Sequence, residues 1–324
     1  MAKNKAILII FFTLAFYIAM GIYADFNKLT EAVQSFQWSY FLLLIFFTTI
    51  GYFLRFLKWD IFLKKAGVFL PFRQNLFVFI SGLSMIVTPG KIGEVWKSWI
   101  IRDISGDELN KTVPAVILDR VTDVMSLILL STFGILSYRE GIYLIIFLLL
   151  IIFVFYVSVR SKIISKKLIL VLEKISGKYS TNVKTMHETF EKMMEPKTFI
   201  SLSLLNSLAW LCECLGFYCV ILGFNRSLSI STSTFIFSFA SLAGGVSMIP
   251  GGIGLAEATI TGFLQFYGFT PDIAIAASLL VRFGSFWYGV ILGFVVYTTF
   301  RKSIMCKNEA VLDKSIAAVH EWRN

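Results

Sequence analysis

Apolar residues in this chain fall in long runs separated by short polar stretches. Runs at 6–23, 38–57, 113–137, 142–159, 198–222 and 273–300 approach or exceed the roughly 20 apolar residues that cross a bilayer as a helix. A transmembrane barrel would instead alternate polar and apolar residues over segments of about ten. Two further runs, at 72–101 and 232–267, are interrupted near their middles. In the second, Pro250, Gly251, Gly252 and Gly254 stop the helix; in the first, Pro89, Gly90 and Gly93 do so. Proline removes a backbone donor, and glycine costs about 1 kcal/mol against alanine in a helix interior. Broken backbone at membrane depth is tolerated only where protein or a water-filled cavity surrounds it. Both runs are therefore expected as re-entrant hairpins. The pattern predicts an all-α fold, a polytopic membrane helical bundle of about six full spans plus two re-entrant broken-helix hairpins, in a single integral membrane domain over 1–324.

Composition agrees with that class. The chain is 57% hydrophobic and 15% charged, against about 25% charged in ordinary soluble domains, and its mean hydropathy is +0.77. The net charge of +10 would suggest nucleic acid in a soluble protein. The basic residues flank the apolar runs, so no nucleic acid is expected and the positive-inside rule accounts for them. With both termini cytoplasmic, inside segments hold 24 of the 30 Lys and Arg residues, among them Arg55, Lys58, Lys64 and Lys65 after the second run. Lys28, Arg139 and Arg226 lie outside, and Lys91, Arg120 and Arg282 fall within membrane segments. This places the protein in the cytoplasmic membrane as a multi-pass chain. Cys212, Cys214, Cys219 and Cys306 match no zinc or redox spacing, and His187 and His320 stand apart, so neither metal nor cofactor is expected.

Residues 160–197 form the one long polar segment, read as a cytoplasmic amphipathic helical hairpin. Ile164, Leu168, Val171, Leu172 and Ile175 recur at helical spacing opposite five lysines, and Val183, Met186, Phe190 and Met193 continue the pattern. Such a face suits anionic inner-leaflet lipid; packing on the protein's own loops is the equal alternative.

The two breaks repeat one another. Pro89-Gly90-Lys91-Ile92-Gly93 and Pro250-Gly251-Gly252-Ile253-Gly254 are offset by 161 residues. A glutamate follows each, Glu94 and Glu257, and then an arginine, Arg120 and Arg282, at an offset of 162. An odd number of spans separates equivalent points, so units at about 38–137 and 198–300 are expected as an inverted repeat, the arrangement in which secondary transporters build a midplane site from discontinuous helices. Helix amino termini after Pro89 and Pro250 would then offer positive dipole ends to a phosphate or carboxylate.

A charge at the bilayer centre costs at least about 2.5–3.5 kcal/mol unless paired or hydrated. Glu94 with Arg120 and Glu257 with Arg282 are the expected pairs, serving either a substrate or the hairpins' own attachment. Asp119 and Asp123 share a helix face and would neutralise Arg120 or Lys91 or relay a proton. Lys91 would attract an anionic head group or snorkel, Lys97 is expected to snorkel to the inside interface, and Glu213 to stand alone in a helix contact.

Taken together, Pro89 to Glu94, Asp119-Arg120 with Asp123, and Pro250 to Gly254 with Glu257 resemble the lysylphosphatidylglycerol synthase transmembrane region family over nearly the whole chain. Lys91 stands where that pattern leads one to expect arginine. The resemblance implies a flippase-like membrane protein whose relatives often carry a soluble domain that transfers an aminoacyl group from tRNA to phosphatidylglycerol. The short stretch after the last run leaves no space for such a domain, so transport rather than catalysis is expected. The reading is a flippase or transporter of a phospholipid or lipid-linked precursor, with Lys91, Glu94, Asp119, Arg120, Asp123, Glu257 and Arg282 binding substrate and no catalytic residues. The alternatives are a membrane-embedded glycosyl- or head-group transferase, or a non-catalytic partner of a separate lipid synthase.

Overall fold

The computed structural model describes residues 20–88, 93–135, 180–247 and 249–321, with isolated positions at 18, 143, 146 and 150. The expected spans at 6–23 and 142–159, the amphipathic segment from 160 to 179, and Pro89, Gly90 and Lys91 lie wholly or largely outside these residues.

All regular structure among the described residues is helical. A short α1, Phe26–Ser35, leads into α2, Trp38–Lys65. Helix α3, Phe72–Leu83, tightens into a 3₁₀ turn at Ser84–Val87; α4, Trp96–Ser105, follows the first break and leads to α5, Leu109–Ile135. After α6, Ser180–Met193, come α7, Pro196–Gly223, and α8, Ile230–Val246. The second break holds a 3₁₀ turn at Pro250–Gly252, followed by α9, Leu255–Phe266. Helix α10, Pro271–Arg282, passes through a π turn at Phe283–Trp287 into α11, Tyr288–Glu321, so the helix continues through the polar tail.

Among the described residues, three helical stretches are long and apolar enough to cross a membrane: Trp38–Lys65, Pro196–Gly223 and Pro271–Ile304. Phe72–Val87 and Ile230–Val246 are apolar but short. The outer faces of the three long stretches carry exposed Leu42, Phe46, Leu204, Leu208, Ile291 and Phe294, surface that only lipid or another apolar partner covers without cost.

Helices α2 and α7 make the most extensive contact. Small residues permit it: a Cβ on Gly51 would meet the Ala209 carbonyl at 2.9 Å, and one on Gly216 would press on Leu44. Close backbone approach through small residues is the usual way helices associate in lipid, where no hydrophobic force acts between them. Around this pair, α5 packs on α8 and α3 on α11.

Two sequence expectations change. The second helix runs to Lys65 rather than ending near residue 57, which carries Arg55 and Lys58 inside the bundle. The described half of the amphipathic segment faces protein: Met193 is fully buried and Phe190 packs against the same core, with α6 lying on α5. Outside the spans, Lys65 pairs with Glu195 at 3.2 Å and links the end of α2 to the start of α7. Hydrogen bonds from Lys65 and Thr198 hold the Glu195 carboxyl below its usual pKa.

A charged cavity between two broken helices

The segments flanking both breaks meet. The 3₁₀ turn at Ser84–Val87 touches the one at Pro250–Gly252, and Ile86, Thr88 and Glu94 line one cavity with Ile249, Gly251 and Gly252. Thr88 closes the first break on itself, its Oγ1 accepting from the Gly93 N–H at 2.8 Å.

The second break depends on glycine. Gly251 and Gly252 have φ of 63° and 64°, a conformation that costs an L-residue about 1–2 kcal/mol. A Cβ on Gly252 would also meet the Gly244 Cα of α8 at 2.8 Å, a backbone atom that cannot swing aside. Gly252→Ala is expected to destabilise the protein by about 2 kcal/mol, strain and overpacking together. Gly262→Ala, in helical backbone with nothing within 4 Å of the added methyl, is expected to be neutral or slightly stabilising. Thermal unfolding in detergent of the two variants checks the contrast.

Around the first break, Glu94, Lys97, Asp119, Arg120 and Asp123 form one network with Lys58 from α2. Arg120 lies 3.1 Å from Glu94, 2.6 Å from Asp119 and 2.8 Å from Asp123. Lys97 lies 2.8 Å from Glu94 and 3.6 Å from Asp119. Lys58 reaches Asp119 at 2.8 Å and Asp123 at 3.4 Å, and it donates to Asn206 and to Thr122. Asn206 and the Trp210 indole N–H in turn donate to Asp123. All are buried except Arg120, whose side chain is 26% exposed and lines the cavity.

At the second break, Arg282 Nε donates to Glu257 at 2.9 Å and Nη2 to the Gly251 carbonyl at 2.7 Å, with Phe286 under its guanidinium. The other Glu257 oxygen accepts from the Gly254 N–H at 2.8 Å. This alters one expectation. A negative charge of the chain's own, Glu257, already stands at the start of α9 and takes the Gly254 N–H, which makes that end less attractive to a second anion. The π turn after Arg282 is secured from α2, where Tyr52 donates its hydroxyl to the Ser285 carbonyl at 2.6 Å.

Three residues behave differently from the sequence reading. Lys97 does not snorkel; its stem packs on Gly82 and its ammonium sits 4.9 Å from the Trp59 ring centre, because Glu94 one turn back supplies the counter-charge. Glu213 is not alone: Arg55 pairs with it at 2.6 Å while stacking 4.1 Å over Trp210. Lys58 and Arg55 are bundle residues, not an interfacial flank. Lys58, Arg55, Asn206 and Trp210 were not among the sequence candidates. Asn206 stood out in the sequence only as an amide within an apolar run, and nothing there set Arg55 and Lys58 apart from a basic flank.

Around the cavity, the described residues balance: Arg55, Lys58, Lys97, Arg120 and Arg282 against Glu94, Asp119, Asp123, Glu213 and Glu257. Each of these carboxylates has a cationic partner and none is grouped to hold a metal. The cavity offers about 90 Å³ to water-sized occupants, enough for several waters at roughly 10–15 Å³ each on the same measure. It is a small compartment of mixed apolar and charged lining whose charges neutralise one another.

Comparison with known proteins matches the sequence to a family. The family described as lysylphosphatidylglycerol synthase TM region matches residues 7–293. A UPF0104 membrane protein of Methanocaldococcus jannaschii is 26% identical over 235 residues, 68% of this chain and 94% of that one. Another, of Pyrococcus horikoshii, is 25% identical over 279 residues, 76% of this chain and 83% of its own length. A third, of Methanothermobacter thermautotrophicus, is 37% identical over 90 residues, 28% of this chain and 27% of the relative. The chain belongs to the lysylphosphatidylglycerol synthase TM region family of membrane proteins.

Proposed function

We propose that the protein moves a phospholipid or lipid-linked precursor across the cytoplasmic membrane, its head group passing between the two broken hairpins. The observation that carries this reading is the shared cavity: residues on both sides of the second break and flanking the first line one compartment walled by paired charges. A soluble protein gains little from such a compartment, and in a membrane it costs free energy unless it serves a polar cargo. The inverted-repeat reading of 38–137 and 198–300 supports it. Under that relation α2 corresponds to α7 and α3 to α8, and the α5–α8 and α3–α11 contacts exchange.

The cavity offers about 90 Å³, so on this reading the passage of a head group requires it to widen. The ion pairs suit such a motion. Arg120 shares three carboxylates, and a shared partner can pass from one acid to another without any charge being left bare. No nucleotide-binding loop is present in the sequence, so the motion is driven by an ion gradient or by the downhill movement of the lipid itself.

The test is transfer of a head-group-labelled phospholipid between the leaflets of proteoliposomes. Wild-type protein is expected to speed the transfer above that in empty vesicles, and Arg120→Ala/Arg282→Ala to return it to the empty-vesicle rate. Equal rates for wild type and variant would sink the reading.

A further inference from the structure

Arg55 is the cavity-lining cation with an unfilled hydrogen-bonding edge. It is 9% exposed and lines the cavity. Its Nη1 donates to Glu213 at 2.6 Å, and its plane lies 4.1 Å over Trp210. Its Nε and Nη2, the two parallel donors along the other edge, are buried and have no partner among the described residues. The neighbouring cations offer no such pair of free donors, although the Arg120 Nε is also buried without a partner among the described residues. Arg282 uses both equivalent nitrogens on Glu257 and Gly251, Arg120 uses both terminal nitrogens on carboxylates, and Lys97 is held by Glu94.

We propose that the Nε–Nη2 edge of Arg55 is the cavity's receptor for a phosphate oxyanion. A guanidinium presents two coplanar donors at the spacing of two phosphate oxygens, a match that lysine lacks. Glu213 and Trp210 fix the plane from one end and one face, so little rotamer freedom remains to be lost on binding. Burying two N–H groups without acceptors is unfavourable, which favours filling that edge. The Glu257 carboxylate at the start of α9 disfavours a second anion there. The oxyanion belongs to a lipid phosphodiester or to free phosphate; the first rests on the transport reading, and binding alone separates the two.

Isothermal titration of the purified full-length protein in detergent, with inorganic phosphate and with dihexanoyl phosphatidylglycerol, tests this. Wild type is expected to bind the short-chain lipid, with phosphate competing. Arg55→Lys keeps the charge but not the fork and is expected to weaken binding by about tenfold, the worth of one charge-assisted hydrogen bond. Arg55→Gln/Glu213→Gln removes the pair without leaving a bare charge and is expected to abolish binding while the unliganded protein still melts cooperatively. Arg102→Ala, on the exposed side of α4, is expected to change nothing. Arg55-dependent binding of phosphate without lipid supports the receptor and counts against the lipid reading. Binding that both Arg55 variants leave intact, or no binding of either probe by wild type, overturns the receptor, whatever the transfer assay shows.

Discussion

Replacing Lys58 with methionine is expected to cost about 3–5 kcal/mol of stability, the range for breaking a buried ion pair from one side. Among the described residues, no other cation has so many partners at full burial. Its ammonium lies 2.8 Å from Asp119 and 3.4 Å from Asp123, donates to Asn206, Thr122 and the Asp119 carbonyl, and is completely buried. Methionine is near in volume and fills the space, so the loss is electrostatic. Asp119 and Asp123 keep Arg120, but the network gains one uncompensated negative charge, and the Asn206 carbonyl oxygen loses its donor. Thermal unfolding in detergent is expected to fall by roughly 10 °C. Lys58→Met/Asp119→Asn restores the balance and is expected to recover more than half of the loss. A double variant no better than the single one would show that Lys58 acts through packing.

Lys58 also marks the limit of what the sequence reveals. Glu94, Arg120, Glu257 and Arg282 were legible because a glutamate and then an arginine follow each Pro-Gly break at similar spacing, and the break itself is a local property of backbone chemistry. Their pairings at 3.1 Å and 2.9 Å sit where the repeat suggested. Lys58 and Arg55 carry no such signal. They stand close to Lys64 and Lys65, in a run that reads as a basic flank, and periodicity does not distinguish a flank from the last buried turns of a helix. Only the partners decide it, and these lie 61 to 158 residues away, at the Asp119 carbonyl, Asn206 and Glu213. Lys97 was misread for a related reason. Snorkelling is favourable when a lysine lacks a counter-charge, and Glu94 one turn earlier on its own hairpin supplies one. Helix type and break position follow from local residue chemistry, whereas which charges are inside follows from packing between distant helices.

The second large effect is expected at Arg282. Arg282→Met removes the Nε donor from Glu257, which is fully buried, and the Nη2 donor from the Gly251 carbonyl in the strained turn. Glu257 keeps the Gly254 N–H and the positive end of α9 but loses its guanidinium partner. Loss of about 3–5 kcal/mol is expected, read as a lower unfolding temperature. Glu257→Gln/Arg282→Met leaves no bare charge, and glutamine still accepts from Gly254, so the double variant is expected to recover most of that stability. The two roles of the pair then separate. A latch that only fastens the second hairpin to α10 would regain lipid transfer together with stability. A pair whose charges meet the cargo, or exchange with the Arg120 network as the hairpins part, would regain stability alone. On the transport reading, the double variant is expected to be folded and slow. A stable double variant with the wild-type transfer rate would assign Glu257 and Arg282 to architecture and leave Arg120 and Arg55 to face the head group.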